Sequence, residues 1–436
     1  MKNESVLRGV KDILNNKKIL IISNNALVES DSNGRTLGCL VENISKDLLV
    51  QICVNGNAVS SKYIMDSYAI SDKMALKSIF QTKCTPRKLE VDTETAEKVK
   101  SDILIKRTSF VSLMREVVWQ QAIWKVDVRS ILDHFSPDVI VVQLGDCSFT
   151  LNLAYKLAKK NGIKVVLFTT EDYYFKEYNH LNSIKKDVFF DMFKWKYKKT
   201  LKKLFTVTAC CVCNTPYLAN LYRKEFRRKT EVVMNAANHI DVPADERNPQ
   251  KIVYAGNLGL GRYQSLIKVA EEVRKVSPSC YIEVYGEFLE EINHELGKYS
   301  NIHLKGFAPY EEILRQQATA HLVLHIESFE PFYQNNLKAA FSTKIPDALA
   351  SGTPFLLFAP EQLAETIYLK ENDCAFVCTN HRELKTVLKQ AVNDAKKRSE
   401  KINNAKHIVE RNHTYRINQE IFIRAIEEAV NEDSSN

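Results

Sequence analysis

At 436 residues the chain exceeds the size at which one hydrophobic core usually stops growing, so two domains are expected. Its composition, 45% hydrophobic and 26% charged with 13 glycines and 11 prolines, is that of an ordinary globular protein, with no low-complexity tract and disorder confined to the ends. The formal charge of +8 suits nucleotide phosphates, an acidic membrane face or nucleic acid, and the lack of zinc-finger spacing, a basic helix with heptads or an RNA-binding aromatic signature sets nucleic acid aside.

Met1 to Lys18 is polar, without the apolar core of a signal peptide, and no apolar run approaches membrane-spanning length, so a cytoplasmic address is expected. β-branched runs then alternate with helix-period segments: Ile19 to Ile22, Leu48 to Val54, Val139 to Val142, Val165 to Phe168, Phe205 to Val212 and Glu231 to Met234. This rhythm predicts a parallel, doubly wound sheet. One long helix is expected from Phe110 to Phe135, with Leu113, Val117, Ile123, Val128 and Leu132 among its apolar positions. Cys210, Cys211 and Cys213 alternate within a strand as small buried hydrophobes. Cys374 and Cys378 stand four apart with no second cysteine pair to complete a metal site and read as structural.

The polar, proline-containing stretch 241–250 reads as a linker between a first domain, 18–240, and a second domain, 251–414; 1–17 is a polar extension. Strands are predicted at Lys251 to Ala255, Tyr281 to Tyr285, Ile302 to Lys305, Leu322 to Ile326, Phe355 to Phe358 and Ala375 to Cys378. A last amphipathic helix within 415–436 is expected to pack back on the first domain. The expected fold class is therefore α/β, two Rossmann-like doubly wound domains facing an interdomain cleft that holds the ligand.

Two segments of the second domain carry chemistry. After the strand KIVYA comes Gly256-Asn257-Leu258-Gly259-Leu260-Gly261-Arg262, where glycines let the backbone approach a ligand and the next helix opens with unpaired N–H groups. With the fixed charge of Arg262, such a loop suits a diphosphate. Further on, Glu327-Ser328-Phe329 follows a buried strand, and Ser342-Thr343-Lys344-Ile345-Pro346-Asp347 opens a short helix closed by Gly352. Lys344 can neutralise phosphate there and Asp347 can accept ribose hydroxyls.

Together these segments resemble the nucleotide-sugar-binding half of GT-B glycosyltransferases, specifically the retaining enzymes of family 4 and their relatives. Gly256 to Arg262 matches the family's glycine loop, Glu327-Ser328-Phe329 its ESFG-type turn, and Asp347-Ala348-Leu349-Ala350 with Gly352 and Pro354 its EAMA-like helix and G-x-P turn. The resemblance implies a two-domain GT-B fold and a nucleotide-sugar donor, a UDP-sugar as first guess, with transfer under retention. It implies that Glu327 lies near the transferred sugar and that Asp347 holds the ribose. Arg262 and Lys344 hold the diphosphate, and Gly256, Asn257, Gly259, Gly261, Ser328, Phe329, Ser342 and Thr343 line the donor. Here an aspartate replaces the second glutamate, the two acids stand farther apart than in most members, and Asn257 stands where many have arginine.

In the first domain, Asn33-Gly34-Arg35 resembles the acceptor-side loop that approaches the donor phosphate, and Glu171-Asp172 ends a strand where relatives often carry a histidine-containing turn. Helix capping explains both groups equally well. The chain contains no Asp-x-Asp string, so fixed cations are expected to do the work of a metal, and no metal or cofactor is expected. The stretch Lys185 to Phe205 interleaves eight lysines with aromatics, as in a helix that rests on anionic lipid and meets a lipid-linked acceptor. The implied role is assembly of a cell-surface polysaccharide, such as a capsule, by transfer to a glycan or lipid-linked oligosaccharide. A nucleotide-sugar epimerase on the same fold and a non-catalytic partner subunit are the alternatives.

Overall fold

The computed structural model describes residues 16–92, 108–176 and 187–431. They form two compact units: the first ends at Val233 and regains the chain at Asn418, and the second runs from Met234 to Ile417. The stretch 241–250 is therefore not a free connector. It is tied down within the second unit, with Arg247 Nη1 donating to the Gly352 carbonyl (3.0 Å) and Arg315 pairing with Glu246 (2.7 Å).

The first unit is built on an eight-stranded sheet in the order β10 (Lys229–Val232), β9 (Thr208–Cys213), β8 (Lys164–Thr169), β7 (Val139–Gln143), β1 (Ile19–Asn25), β2 (Leu49–Asn55), β4 (Asp66–Ala69), β5 (Arg87–Lys88). All neighbours are parallel except β4 and β5. Ile19 stands in register with Leu49 on one side and Val139 on the other. Central strands covered on both faces are apolar along their buried length, which is why Ile19–Ile22 of β1, Val139–Val142 of β7 and Ala209–Cys213 of β9 read as hydrophobic runs. The short strands β4, β5, β3 (Ala58–Ser60) and β6 (Glu90–Asp92) carry no such run and were not legible. From Asn418 the last helix, Tyr415–Asn431, adds Phe422, Ile423 and Ile426 to this unit's core.

The expected helix from Phe110 to Phe135 is two helices, Ser109–Lys125 and Arg129–Phe135. Between them the chain leaves the helical path to pair with Cys84, which donates its N–H to Lys125 O (2.8 Å) and accepts from Asp127 N–H (2.9 Å). Val117, expected in the core, is exposed. The second unit follows its predicted strands closely in a six-stranded, all-parallel sheet: β13 (Ile302–Gly306), β12 (Tyr281–Tyr285), β11 (Lys251–Ala255), β14 (Leu322–Ile326), β15 (Phe355–Phe358), β16 (Phe376–Cys378). Cys374 and Cys378 are buried free thiols, as are Cys210, Cys211 and Cys213. No helix among the described residues is long and apolar enough to cross a membrane.

Candidate functional site

In the second sheet the winding direction reverses between β11 and β14, which pair directly. A doubly wound sheet leaves a crevice beyond the carboxyl ends of such a strand pair. The glycine loop leaves β11 there and Glu327-Ser328-Phe329 leaves β14 there, so the fold brings the two singled-out segments together.

The loop is held by its own groups. Tyr254 donates its hydroxyl to the Asn257 carbonyl (3.0 Å), and the Asn257 side chain accepts from Gly259 N–H (2.6 Å). Gly261 stands at φ +76 with no room for a side chain: a Cβ would lie 2.7 Å from Ser328 Oγ. At Gly256 a Cβ would come 3.5 Å from Lys344 Cε, so the bare backbone there faces that lysine. The helix Arg262–Val276 starts at Gly261 without a side-chain cap. Two of its first N–H groups already bond loop carbonyls, Arg262 to Gly259 and Tyr263 to Leu258, which leaves fewer open than the sequence suggested.

Arg262 opens this helix and grips Glu327 with two parallel bonds, Nε to Oε2 at 2.8 Å and Nη2 to Oε1 at 2.9 Å. The guanidinium keeps three further N–H donors. Burial alone would raise the Glu327 carboxyl, but His325 and Arg262 hold it below its ordinary range. Ser265 fixes the turn by donating to the Glu327 carbonyl (2.8 Å). Lys344 remains open to solvent, yet the protein around its ammonium lowers its pKa, and the nearby Arg262 charge lowers it further against the pull of Glu327, Asp347 and Glu365. A water-reachable lysine beside a second cation that opposes its charge attracts an anion.

Beneath this pair lie two buried groups that the sequence reading did not single out. His325 Nε2 is 3.6 Å from both Glu327 Oε1 and Glu365 Oε1, and neither His325 Nε2 nor Glu365 Oε1 has a hydrogen-bond partner. Glu365 takes the Ser342 N–H on its other oxygen (3.2 Å), tying the strand-end cluster to the loop that carries Lys344. Burial, reinforced by the Glu327 charge and opposed by His325, pushes the Glu365 carboxyl up to about 7. One ligating atom each from His325, Glu327 and Glu365 lies within 4.8 Å of the others, the only such set among the described residues. Both Glu327 oxygens are taken by Arg262, and Lys344 adds a second positive charge nearby, so the set is poorly suited to a dication. The alternation of β14 offered one signal, since His325 and Glu327 stand two apart and face the same way. Glu365 gave none.

The other donor-side candidates divide. Asp347 is buried, and its oxygens accept from Asn238 N–H (2.8 Å) and from the Tyr310 hydroxyl (2.8 Å), so it clasps its own unit. Phe329 packs against Phe358 and His381, with ring centres 4.6 and 4.8 Å away. Ser328 Oγ accepts from Glu330 N–H and Ser342 Oγ from Lys344 N–H, while Thr343 is exposed.

Several of the first unit's candidates take part in local structure. Asp31 caps the helix Ser32–Val41 through Gly34 N–H (2.7 Å), the Asn33 carbonyl accepts from Gln143, and Gly34 is a packing glycine whose Cβ would lie 2.4 Å from Ala26 O. Arg35 is exposed on that helix. Asp172 closes a turn by accepting from Phe175 N–H (2.6 Å), and the Glu171 carbonyl accepts from Thr169 (2.8 Å). This sheet reverses between β7 and β1, where Asn24 donates to Asp146 (3.4 Å), neither of them singled out beforehand.

Residues 263–422 match the sequence model of a family described as glycosyl transferase-like. No curated protein matches the chain. Among solved structures, HepE of Anabaena in complex with UDP and glucose is similar with a TM-score of 0.59 at 13% identity, over 94% of this chain and 100% of that one. Sucrose-phosphate synthase from Thermosynechococcus elongatus gives 0.62 at 9% identity, over 95% of this chain and 100% of that one. WaaG, a glycosyltransferase involved in lipopolysaccharide biosynthesis, gives 0.55 at 13% identity, over 96% of this chain and 100% of that one. At such identities the likeness establishes the fold, which is α/β and GT-B with two Rossmann-like units.

Proposed function

We propose that the chain is a retaining, family 4-like glycosyltransferase that moves a hexosyl or related sugar from a UDP-sugar to a glycan or lipid-linked oligosaccharide in cell-surface polysaccharide biosynthesis. The observation that carries this reading is the convergence of Arg262, Glu327 and Lys344 on the glycine loop at the β11–β14 reversal. The family match over 263–422 and the UDP held by HepE support the donor class.

Cleaving the sugar–phosphate bond builds negative charge on the departing diphosphate and positive charge on the sugar. Arg262 keeps Glu327 ionised with two N–H groups and presents the remaining three to phosphate, while Lys344 meets it from the opposite loop. Glu327, ionised beneath the bound sugar, faces the developing positive charge. These fixed cations do the work of a divalent ion, and no metal is required. In the same reading the enzyme works at the inner face of the cytoplasmic membrane, which it touches through Lys185 to Phe205. Lys185 and Lys186 lie outside the described residues.

A mass-spectrometric screen of UDP- and GDP-sugars, with and without extracts of lipid-linked glycans, tests the proposal. Acceptor-dependent consumption of a UDP-sugar is expected. Conversion of the donor alone into an isomer would make the chain an epimerase, and no turnover with weak nucleotide binding would make it a non-catalytic partner.

A further inference from the structure

We propose that two neighbouring helices of the first unit, Ser109–Lys125 and Val188–Leu204, form one apolar, lysine-edged platform that inserts into the surface of an anionic bilayer. The inference deepens the membrane contact proposed above, names the surface that makes it and shifts the emphasis from lysines to exposed apolar side chains.

The two helices run side by side in the same direction. Phe110 and Phe189 touch edge to face near their starts (5.2 Å), and about two turns on Lys196 donates to the Glu116 carbonyl (3.0 Å). A soluble helix buries its apolar stripe and turns a polar face to water. The helix Val188–Leu204 does bury Phe190, Phe193, Tyr197 and Leu201. Its open face, however, begins Val188, Met192, Trp195 at positions i, i+4 and i+7, all exposed, with Trp195 64% accessible. The partner helix repeats the pattern: Phe110, Met114 and Val117 are exposed at the same spacing, and Trp124, 72% accessible, continues the stripe. The two stripes lie on neighbouring helices and meet at Phe110 and Phe189, and exposed apolar side chains gathered in this way mark an interaction surface.

The edges choose the occupant. Past Trp195 the open stripe of the later helix turns cationic at Lys199 and Lys202, and that helix carries six lysines against the single acid Asp191, with Lys202 paired to Glu225 (3.5 Å) and Lys196 to Glu116 (3.7 Å). Each exposed tryptophan has a lysine over its ring, Lys199 on Trp195 at 5.0 Å and Lys156 on Trp124 at 5.2 Å. Indole rings with ammonium groups beside them fit the headgroup level of a bilayer, where the ring is half buried and the charge meets lipid phosphate. A second copy of the same surface would set lysine against lysine.

The 436-residue chain is floated with vesicles of phosphatidylcholine alone and with a quarter phosphatidylglycerol, at low and high salt. Wild type is expected to float with the anionic vesicles, and brominated lipid is expected to quench its tryptophan fluorescence. M192S/W195S, which keeps the net charge, is expected to lose about tenfold in partitioning, and so is M114S/V117S on the other helix. K199Q/K202Q is expected to lose binding at low salt chiefly. UDP binding by calorimetry shows that each variant is folded; absence of UDP binding in every protein, wild type included, would overturn the donor reading and leave the flotation result standing. The proposal is overturned if wild type fails to float, if both serine pairs float like wild type, or if light scattering shows a dimer that M192S/W195S dissolves.

Discussion

The two units place polar residues at the carboxyl edges of similar parallel sheets, yet they use them differently. In the first, Asp31 and Asp172 each accept a backbone N–H at 2.6 to 2.7 Å, one at a helix start and one in a turn, and Asp31 also accepts from the Asn25 side chain (3.1 Å). In the second, the Arg262–Glu327 pair adjoins His325 and Glu365, buried and 3.6 Å apart without a hydrogen bond between them. A histidine and two glutamates buried this close together, with the Glu365 carboxyl raised to about 7, are the kind of cluster that functional sites gather, and the second edge is the one that carries it.

The largest expected effect tests that contrast through stability. Glu327→Ala leaves the Arg262 guanidinium, whose side chain is only 15% exposed, without its carboxylate, and roughly 3 kcal/mol of unfolding free energy should be lost. Asp172→Ala removes a single turn bond and should cost about 1 kcal/mol. Urea titration measures both, and equal losses would erase the distinction between the edges.

Next comes turnover. Arg262→Ala or Lys344→Ala should each lower kcat/KM by about a hundredfold, the effect of deleting one charge-stabilising donor, ~3 kcal/mol. Arg35→Ala, on the exposed face of a capped helix, should change it by less than about threefold. A hundredfold loss at Arg35 would bring the first unit into the reaction.

Much of this contrast was legible from sequence and part was not, for physical reasons. The strands of the second sheet announced themselves because buried parallel strands are apolar on both faces. The glycine loop and Glu327 could be found because a turn at φ +76 beside Ser328 demands glycine and because an acid directly after an apolar strand stands out. Short edge strands such as Arg87–Lys88 lack any apolar run, and the break at Val126 depends on a bridge to Cys84, far back in the chain. Glu365 escaped notice for the same reason: nothing near it says that a helix start will face His325. Asp347 looked like a ligand residue, while its engagement with Asn238 and Tyr310 is tertiary and silent in sequence.

A smaller effect separates a glycine that serves a ligand from one that serves packing. Gly261→Ala forces both a left-handed backbone and a 2.7 Å contact with Ser328 Oγ, and should raise the donor KM severalfold while costing about 1–2 kcal/mol. Gly34→Ala, whose Cβ would press on Ala26 O at 2.4 Å, should cost about 1–3 kcal/mol in stability and leave the donor KM unchanged in the folded fraction. Donor titration with a parallel melt distinguishes them.

The subtlest difference lies in pH. The Glu365 carboxyl is raised from 4.5 to about 7 by burial, so between those values the folded chain binds more protons than the unfolded one. Stability must then fall as pH rises through that window, the reverse of an ordinary paired carboxylate such as Glu327, whose contribution is lost as pH falls below its usual range. Glu365→Gln removes the titration, keeps an acceptor for the Ser342 N–H and offers an amide N–H to His325 Nε2. The melting temperature of the variant should therefore gain on wild type as pH increases, with the gap opening from about pH 4.5 and levelling off above about pH 7. Parallel melting curves across that range would mean that Glu365 is already satisfied in the folded chain, and the buried cluster of the second unit would then be no different in kind from the capped edge of the first.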